Sequence, residues 1–170
     1  MNGRDDLTGV LDKSTFNGHL VEVVTEVRAT GSALALLHVD IDNMKHFNLH
    51  NGPYLGDELL KRFVTIVKPL LGNRYMLYRP WGDEFTIILP DTTREEALRL
   101  AQKICDISRD ELAPPQPTNC GDPRCLGPAK ISVSIGVAMF EHNMNVESFL
   151  QSAEKKMYEA KSLGRDRVCM

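Results

Sequence analysis

The chain has 170 residues, 42% of them hydrophobic and 25% charged, with a formal net charge of −3. That length fits one domain with a full core, and the composition is that of an ordinary globular protein. The slight acidic excess leaves no basic surplus to neutralise a phosphate backbone, which argues against non-specific nucleic-acid binding. No apolar run reaches the roughly 18–20 residues of a membrane span.

The opening "MNGRDDLTG" is polar and acidic, unlike a signal peptide, so a cytoplasmic location is expected. From Asp12 to Arg28, Phe16, Leu20, Val23, Val24 and Val27 recur at helical spacing behind Asp12 as N-cap. "ALALLHVDI", Ala33 to Ile41, is a near-continuous apolar run, as expected of a central strand buried on both faces. A polar, turn-rich stretch follows, "DNMKHFNLHNGPYLGD". A helix is then predicted from Asp57, its stripe traced by Leu59, Leu60, Phe63, Ile66, Val67, Leu70 and Leu71 and its end set by Gly72-Asn73. "RYMLYR" and "EFTIIL" read as a hairpin around "PWGD". Thr92 and Glu95 have capping-box spacing ahead of a helix that stops before Pro114. A Pro-rich loop leads to the strand "KISVSIGVAMF", where Ile131, Val133, Ile135 and Val137 alternate. The last predicted helix runs from about Val146 to Leu163, with Gly164 as its stop.

From Ala33 the order is strand, helix, strand, strand, helix, strand. This is the split βαβ pattern of an α+β, ferredoxin-like βαββαβ core. It predicts an antiparallel sheet with helices on one face and extra helices on the flanks.

Acidic residues punctuate this plan. Asp40 and Asp42 end the central strand at a spacing that puts both on one face if the strand continues. Asp83 and Glu84 sit in the hairpin turn, an awkward place for adjacent acids unless they have a task. In the split βαβ topology these two loops are neighbours. Clustered carboxylates at loop ends suit a hard divalent cation completed by substrate phosphates. Lys161 and Arg165, one turn apart at the end of the last helix, offer either a complement to the helix dipole or a clamp for polyphosphate, with Lys45 as a further cation. Asn48 and Asp57 can pair with the donor and acceptor edge of guanine, although Asp57 also suits a helix N-cap.

Five segments in order resemble the GGDEF domains, the catalytic modules of bacterial diguanylate cyclases: "DDLTGVLDKSTF", "VDIDNMKHFNLHNGPYLGD", "RPWGDEF", "VSIGVA" and "AEKKMYEAKSLGRDRV". The resemblance spans essentially residues 1–170 as a single domain, expected to be the catalytic fragment of a longer protein. It implies a palm-like fold related to class III nucleotidyl cyclases and polymerases. It also implies condensation of two GTP into cyclic di-GMP and two pyrophosphates, with Mg2+ or Mn2+ as cofactor and a homodimer that brings two active sites face to face. By motif position, Asp40, the carbonyl of Ile41, Asp83 and Glu84 would hold metal. Asp40, Asp83, Glu84 and Arg79 would carry catalysis. Asn48 and Asp57 would read guanine, and Lys45, Lys161 and Arg165 would hold phosphates beside Gly82. A regulatory domain upstream is expected; neither nucleic acid nor membrane is.

There are departures. Trp81 stands at the first glycine of the name motif, Leu49, Asn51 and Pro53 alter the polar turn, and Asp12 and Lys13 replace Asn and Arg. The family's inhibitory Arg-x-x-Asp reads "GNRY" here, so no such feedback site is expected. The alternative reading is a degenerate domain that binds GTP as a regulatory module without turnover. Cys120 and Cys125 resemble half a metal site, but no second Cys or His pair accompanies them, so neither zinc nor a disulfide is expected.

Overall fold

The computed structural model describes residues 3–112 and 131–170. Cys120 and Cys125 lie outside them. The elements run β1 (Leu11–Asp12), α1 (Lys13–Thr30), β2 (Leu34–Ile41), α2 (Met44–Asn51), α3 (Pro53–Leu71), β3 (Met76–Trp81), β4 (Glu84–Pro90), α4 (Arg94–Glu111), β5 (Val133–Met139), α5 (Val146–Ser162) and β6 (Arg167–Cys169). They build one sheet in the order β1-β3-β4-β2-β5-β6. The four inner strands are antiparallel, as the ferredoxin-like βαββαβ plan requires. Both short edge strands pair in parallel, so the sheet is mixed rather than wholly antiparallel.

All eight residues of β2 are buried. The reason is a second correction to the expected layering: helices cover both faces. Ala35, Leu37, Val39 and Ile41 join Phe63 and Val67 of α3 and Ala101 and Ile104 of α4 in one core. Leu34 and Leu36 join Phe16, Leu20 and Val24 of α1 and Phe149 and Ala153 of α5 in another. The predicted flanking helices are therefore the second face of a three-layer stack. Each buried aliphatic side chain is worth about 1.5–3 kcal/mol, which makes these two layers the main source of stability.

Local chemistry explains the element ends. Asp12 caps α1 as predicted, accepting from Thr15 N at 2.8 Å. The polar stretch after β2 is not all turn. It holds α2, whose buried residues are only Met44 and Phe47. Gly52, at φ 83°, breaks the chain, and Pro53 starts α3 at the one place where a missing N–H costs nothing. Asp57 thus lies inside α3 and is not its cap. The capping box of α4 is Thr93 with Glu96, not Thr92 with Glu95. Thr92 is buried and occupied elsewhere, by Tyr75 Oη at 2.9 Å and the Pro90 carbonyl at 2.8 Å.

Candidate active site

The two acidic loops meet at one end of the sheet. In the β2–β4 register Asp40 lies opposite Glu84, and on the other side it lies opposite Ser134 of β5. Ile41 N donates to the Asp83 carbonyl at 3.2 Å, which locks the hairpin turn onto the end of β2. Asp40 is only 4% exposed. Burial pushes its carboxyl up to about 6, with Asp83 and Glu84 adding to the rise, although Lys161 Nζ stands 2.7 Å away and opposes it. Glu84 goes the other way. A hydrogen bond from His38 Nε2 at 2.8 Å holds it below its ordinary range, against the effect of its partial burial.

Asp42, the second acid of "DID", borders a cleft with Asp40 and Asp83, but its carboxylate is taken up by other partners. It lies beyond the end of β2 and is buried. Its carboxylate accepts from Ser132 Oγ and Ser134 Oγ, each at 2.7 Å, and from Asp166 N at 3.2 Å. Arg165 Nε is 4.0 Å from it. The strand stops at Ile41, so the condition for Asp40 and Asp42 to share one strand face is not met, and Asp42 fastens the turn after α5, where Arg165 and Asp166 both have positive φ.

Two clefts flank the acids. One, of about 500 Å³, is lined by Lys45, Asn48, Asp57, Arg79, Gly82 and Asp83, together with the apolar Met44, Leu49 and Leu60. Asn48 Oδ1 is buried here with no hydrogen-bond partner among the described residues. Gly56 makes room for it: a Cβ there would stand 1.9 Å from Asn48 Oδ1. The second cleft, of about 360 Å³, is lined by Asp40, Ile41, Lys45, Asp83, Lys161 and Arg165 among others. Lys45, Leu49, Met44 and Asp83 border both, so the two lie side by side. One joins apolar walls to an unsatisfied amide oxygen; the other carries acids facing three cations. A nucleobase and a polyphosphate have those complementary needs.

Arg79 borders the first cleft but is already engaged. Its Nε donates to the Gly82 carbonyl at 2.7 Å and its Nη1 to Asp5 Oδ1 at 2.9 Å. Asp5 in turn accepts from Thr8 N at 2.8 Å. Burial opposes ionisation of Asp5, but the bonds from Thr8 and Arg79 outweigh it and hold its carboxyl below the ordinary range. The segment before β1 thereby props the acidic turn from behind.

Trp81 does not line either cleft. The positive φ in the turn falls on Gly82, at 29°, and Trp81 has none. Trp81 pairs with Glu84 in the β3–β4 register. Its indole lies on the α1/α5 side, parallel to the His38 ring within 2° and 6.0 Å between centroids, with Lys13 Nζ 4.9 Å from it. A tryptophan fits this position because the turn needs its left-handed residue one place later.

The residues that sequence reasoning missed are His38, Asp5, Ser132, Ser134 and Asp166. Only His38 leaves a local trace, as a polar ring in the apolar run that leads to Asp40. Among the described residues, no three His, Cys, Asp or Glu side chains already converge as a metal cage.

The family model described as diguanylate cyclase, GGDEF domain, matches residues 2–167. Diguanylate cyclase DosC of Escherichia coli strain K12 is 31% identical over 166 residues, covering 98% of this chain and 34% of that protein. An uncharacterized membrane protein of Staphylococcus epidermidis is 30% identical over 167 residues, covering 96% of this chain and 44% of the other. The chain thus spans about a third to under a half of the length of these curated relatives. The GGDEF domain of DgcB from Caulobacter crescentus, solved in complex with c-di-GMP, superposes with a TM-score of 0.85 over 99% of this chain and 95% of that one. At 23% identity that likeness speaks for the fold.

Proposed function

The chain belongs to the GGDEF domain family of diguanylate cyclases, and from that premise we propose that it condenses two GTP into cyclic di-GMP with release of two pyrophosphates. The observation that carries this reading is the meeting of the two clefts at Asp83, which puts a recess holding Asn48 and Asp57 and a recess holding Lys161 and Arg165 on either side of one acidic edge.

In this reading Asn48 and Asp57 take the guanine. The unsatisfied Asn48 Oδ1 is a prepared acceptor, and a ligand that fills it relieves a buried polar atom. Lys45, Lys161 and Arg165 hold the triphosphate. Asp42 keeps the Arg165 turn in place, so part of the cost of ordering the clamp is met on folding. Arg79 acts by fixing Gly82 and hence the aim of Asp83.

The residues at the edge fit magnesium or manganese. Magnesium asks for one or two carboxylates, with phosphate oxygens and water completing its shell, and does not require an all-protein cage. Asp40, Asp83, Glu84 and the Ile41 carbonyl are the hard oxygen donors on offer. When bound, two divalent ions supply stabilisation of the charge that develops on the attacked α-phosphate and the departing pyrophosphate. Lys161 and Arg165 add to that stabilisation from the leaving-group side. Joining two nucleotides takes a second copy facing the first, and the working form is a homodimer. A regulatory domain elsewhere in a longer protein would control that encounter, and residues 1–170 form the single catalytic domain. No helix of the described residues is long and apolar enough to cross a membrane.

The experiment is incubation of the protein at high concentration with GTP and Mg2+, followed by chromatography for cyclic di-GMP and pyrophosphate. Both products are expected. GTP binding with no product would make this a regulatory GTP-binding module instead.

A further inference from the structure

We propose that His38 is a positioning residue for Glu84, roofed by the indole of Trp81, and that it presents this carboxylate to a divalent cation; the proposal rests on the acidic edge being the metal-binding centre argued above. His38 lies in β2 two residues before Asp40 and is 1% exposed. An aliphatic side chain would pack there without penalty, whereas a buried imidazole costs free energy unless its polar atoms are used. Its one hydrogen bond among the described residues is Nε2 to Glu84 Oε2, at 2.8 Å. A carboxylate only accepts, so Nε2–H donates. Nδ1 has no partner among the described residues, nor has Thr86 Oγ1, the cross-strand neighbour. All the polar return from burying this ring goes to Glu84.

Trp81 completes the arrangement. Its ring is parallel to that of His38 within 2°, and Lys13 Nζ sits 4.9 Å from the indole. The imidazole beside it is 1% exposed, and a hydrogen bond in such a setting is stronger than in solvent. Oε2 of Glu84 is thus committed to His38, while Oε1 carries no hydrogen bond among the described residues. A carboxylate fixed at one oxygen and free at the other, beside Asp40, is a pre-aimed ligand, and partners of this kind set metal affinity through orientation. The imidazole and the indole make one device: the tryptophan in the name motif belongs to the histidine in β2.

The test compares wild type with His38→Phe, which keeps a flat ring but removes the donor, and His38→Gln, which can return an N–H near the place of Nε2. Mn2+ binding is followed by electron paramagnetic resonance at saturating concentrations of a GTP analogue unable to release pyrophosphate, and melting temperatures are taken alongside. His38→Phe is expected to weaken Mn2+ binding about 10- to 100-fold, and His38→Gln to recover most of it. Wild-type Mn2+ binding in His38→Phe, or equal loss in both variants with unchanged melting, overturns the proposal. Imidazole 15N resonances of the wild type give a check that needs no variant: an Nε2–H tautomer with slow proton exchange is expected, and an Nδ1–H tautomer overturns it. If wild type binds Mn2+ and the analogue but forms no product from GTP, the cyclase reading fails, and loss of Mn2+ in His38→Phe still upholds the role of His38.

Discussion

The two faces of the sheet meet the same acidic edge in opposite conditions. On the α2/α3 side the polar groups are left open: Lys45 and Asp57 are exposed, and Asn48 keeps a buried oxygen without a partner among the described residues. On the α1/α5 side the acids already have partners within the protein: Glu84 has His38, Asp40 has Lys161, and Asp42 has two serines and an amide, while His38 Nδ1 and Thr86 Oγ1 are the atoms left without one among the described residues. The difference teaches how the work is divided. Recognition needs groups whose partner is the ligand, while charge stabilisation needs groups that do not have to reorganise when charge develops.

The sharpest way to break this division is at the acid that borders both clefts. Asp83→Ala should abolish pyrophosphate release, by about a thousandfold or more, with little change in melting temperature; residual wild-type turnover would contradict its role. Next comes the open side. Gly56→Ala drives a Cβ into Asn48, and KM for GTP should rise about ten- to a hundredfold with a smaller change in kcat, the mark of lost binding rather than lost chemistry.

The closed side should answer to pH. Asp40 titrates at about 6 in the folded chain against 3.8 for the ordinary group. For an acid raised in this way, the folded state holds the proton longer than the unfolded one. The penalty of burying its charge is present at neutral pH and is relieved as pH falls through about 6 toward 4. Asp40→Asn should therefore stabilise the metal-free protein by about 2 kcal/mol near neutrality, and this gain should fade as pH approaches about 4. Melting curves across that window decide it. Since a ligating carboxylate must be deprotonated, Mn2+ should bind about tenfold more weakly near pH 5 than near pH 7.

Trp81→Gly should have the smallest effect on the open side. Affinity for a GTP analogue should change by less than about threefold, because the indole lies across the sheet from Asn48, while stability falls by about 1–2 kcal/mol from lost contacts. A large change in analogue affinity would place the ring in the nucleotide's path and undo the separation of the two faces.

Much of this was legible in the chain. The apolar run of β2 showed a central strand, and split βαβ order brought the loops of Asp40 and Glu84 together. Helix α2 was hidden because its buried stripe is two residues, Met44 and Phe47, within a polar stretch. Strands β1 and β6 have two and three residues, too few for any period, and exist only because neighbours pair with them. Asp40 and Asp42 looked equivalent at i, i+2. What separates them is a pair of hydroxyls 90 and 92 residues away in sequence, a long-range fact that local spacing cannot carry. Thr92 and Thr93 differ for the same reason: one finds Tyr75 in the core, so the other caps the helix.

Asp42 has a mechanical meaning beyond its hydrogen bonds. It joins the end of β2, the start of β5 and the turn after α5 at one point, so the wall that carries Arg165 cannot swing without unmaking the sheet's edge. The opposite wall is α2, an eight-residue helix with two buried side chains and Leu49 76% exposed at the rim. An aspartate that resembles a metal ligand is thus the bolt that holds the Arg165 wall of the cleft to the sheet.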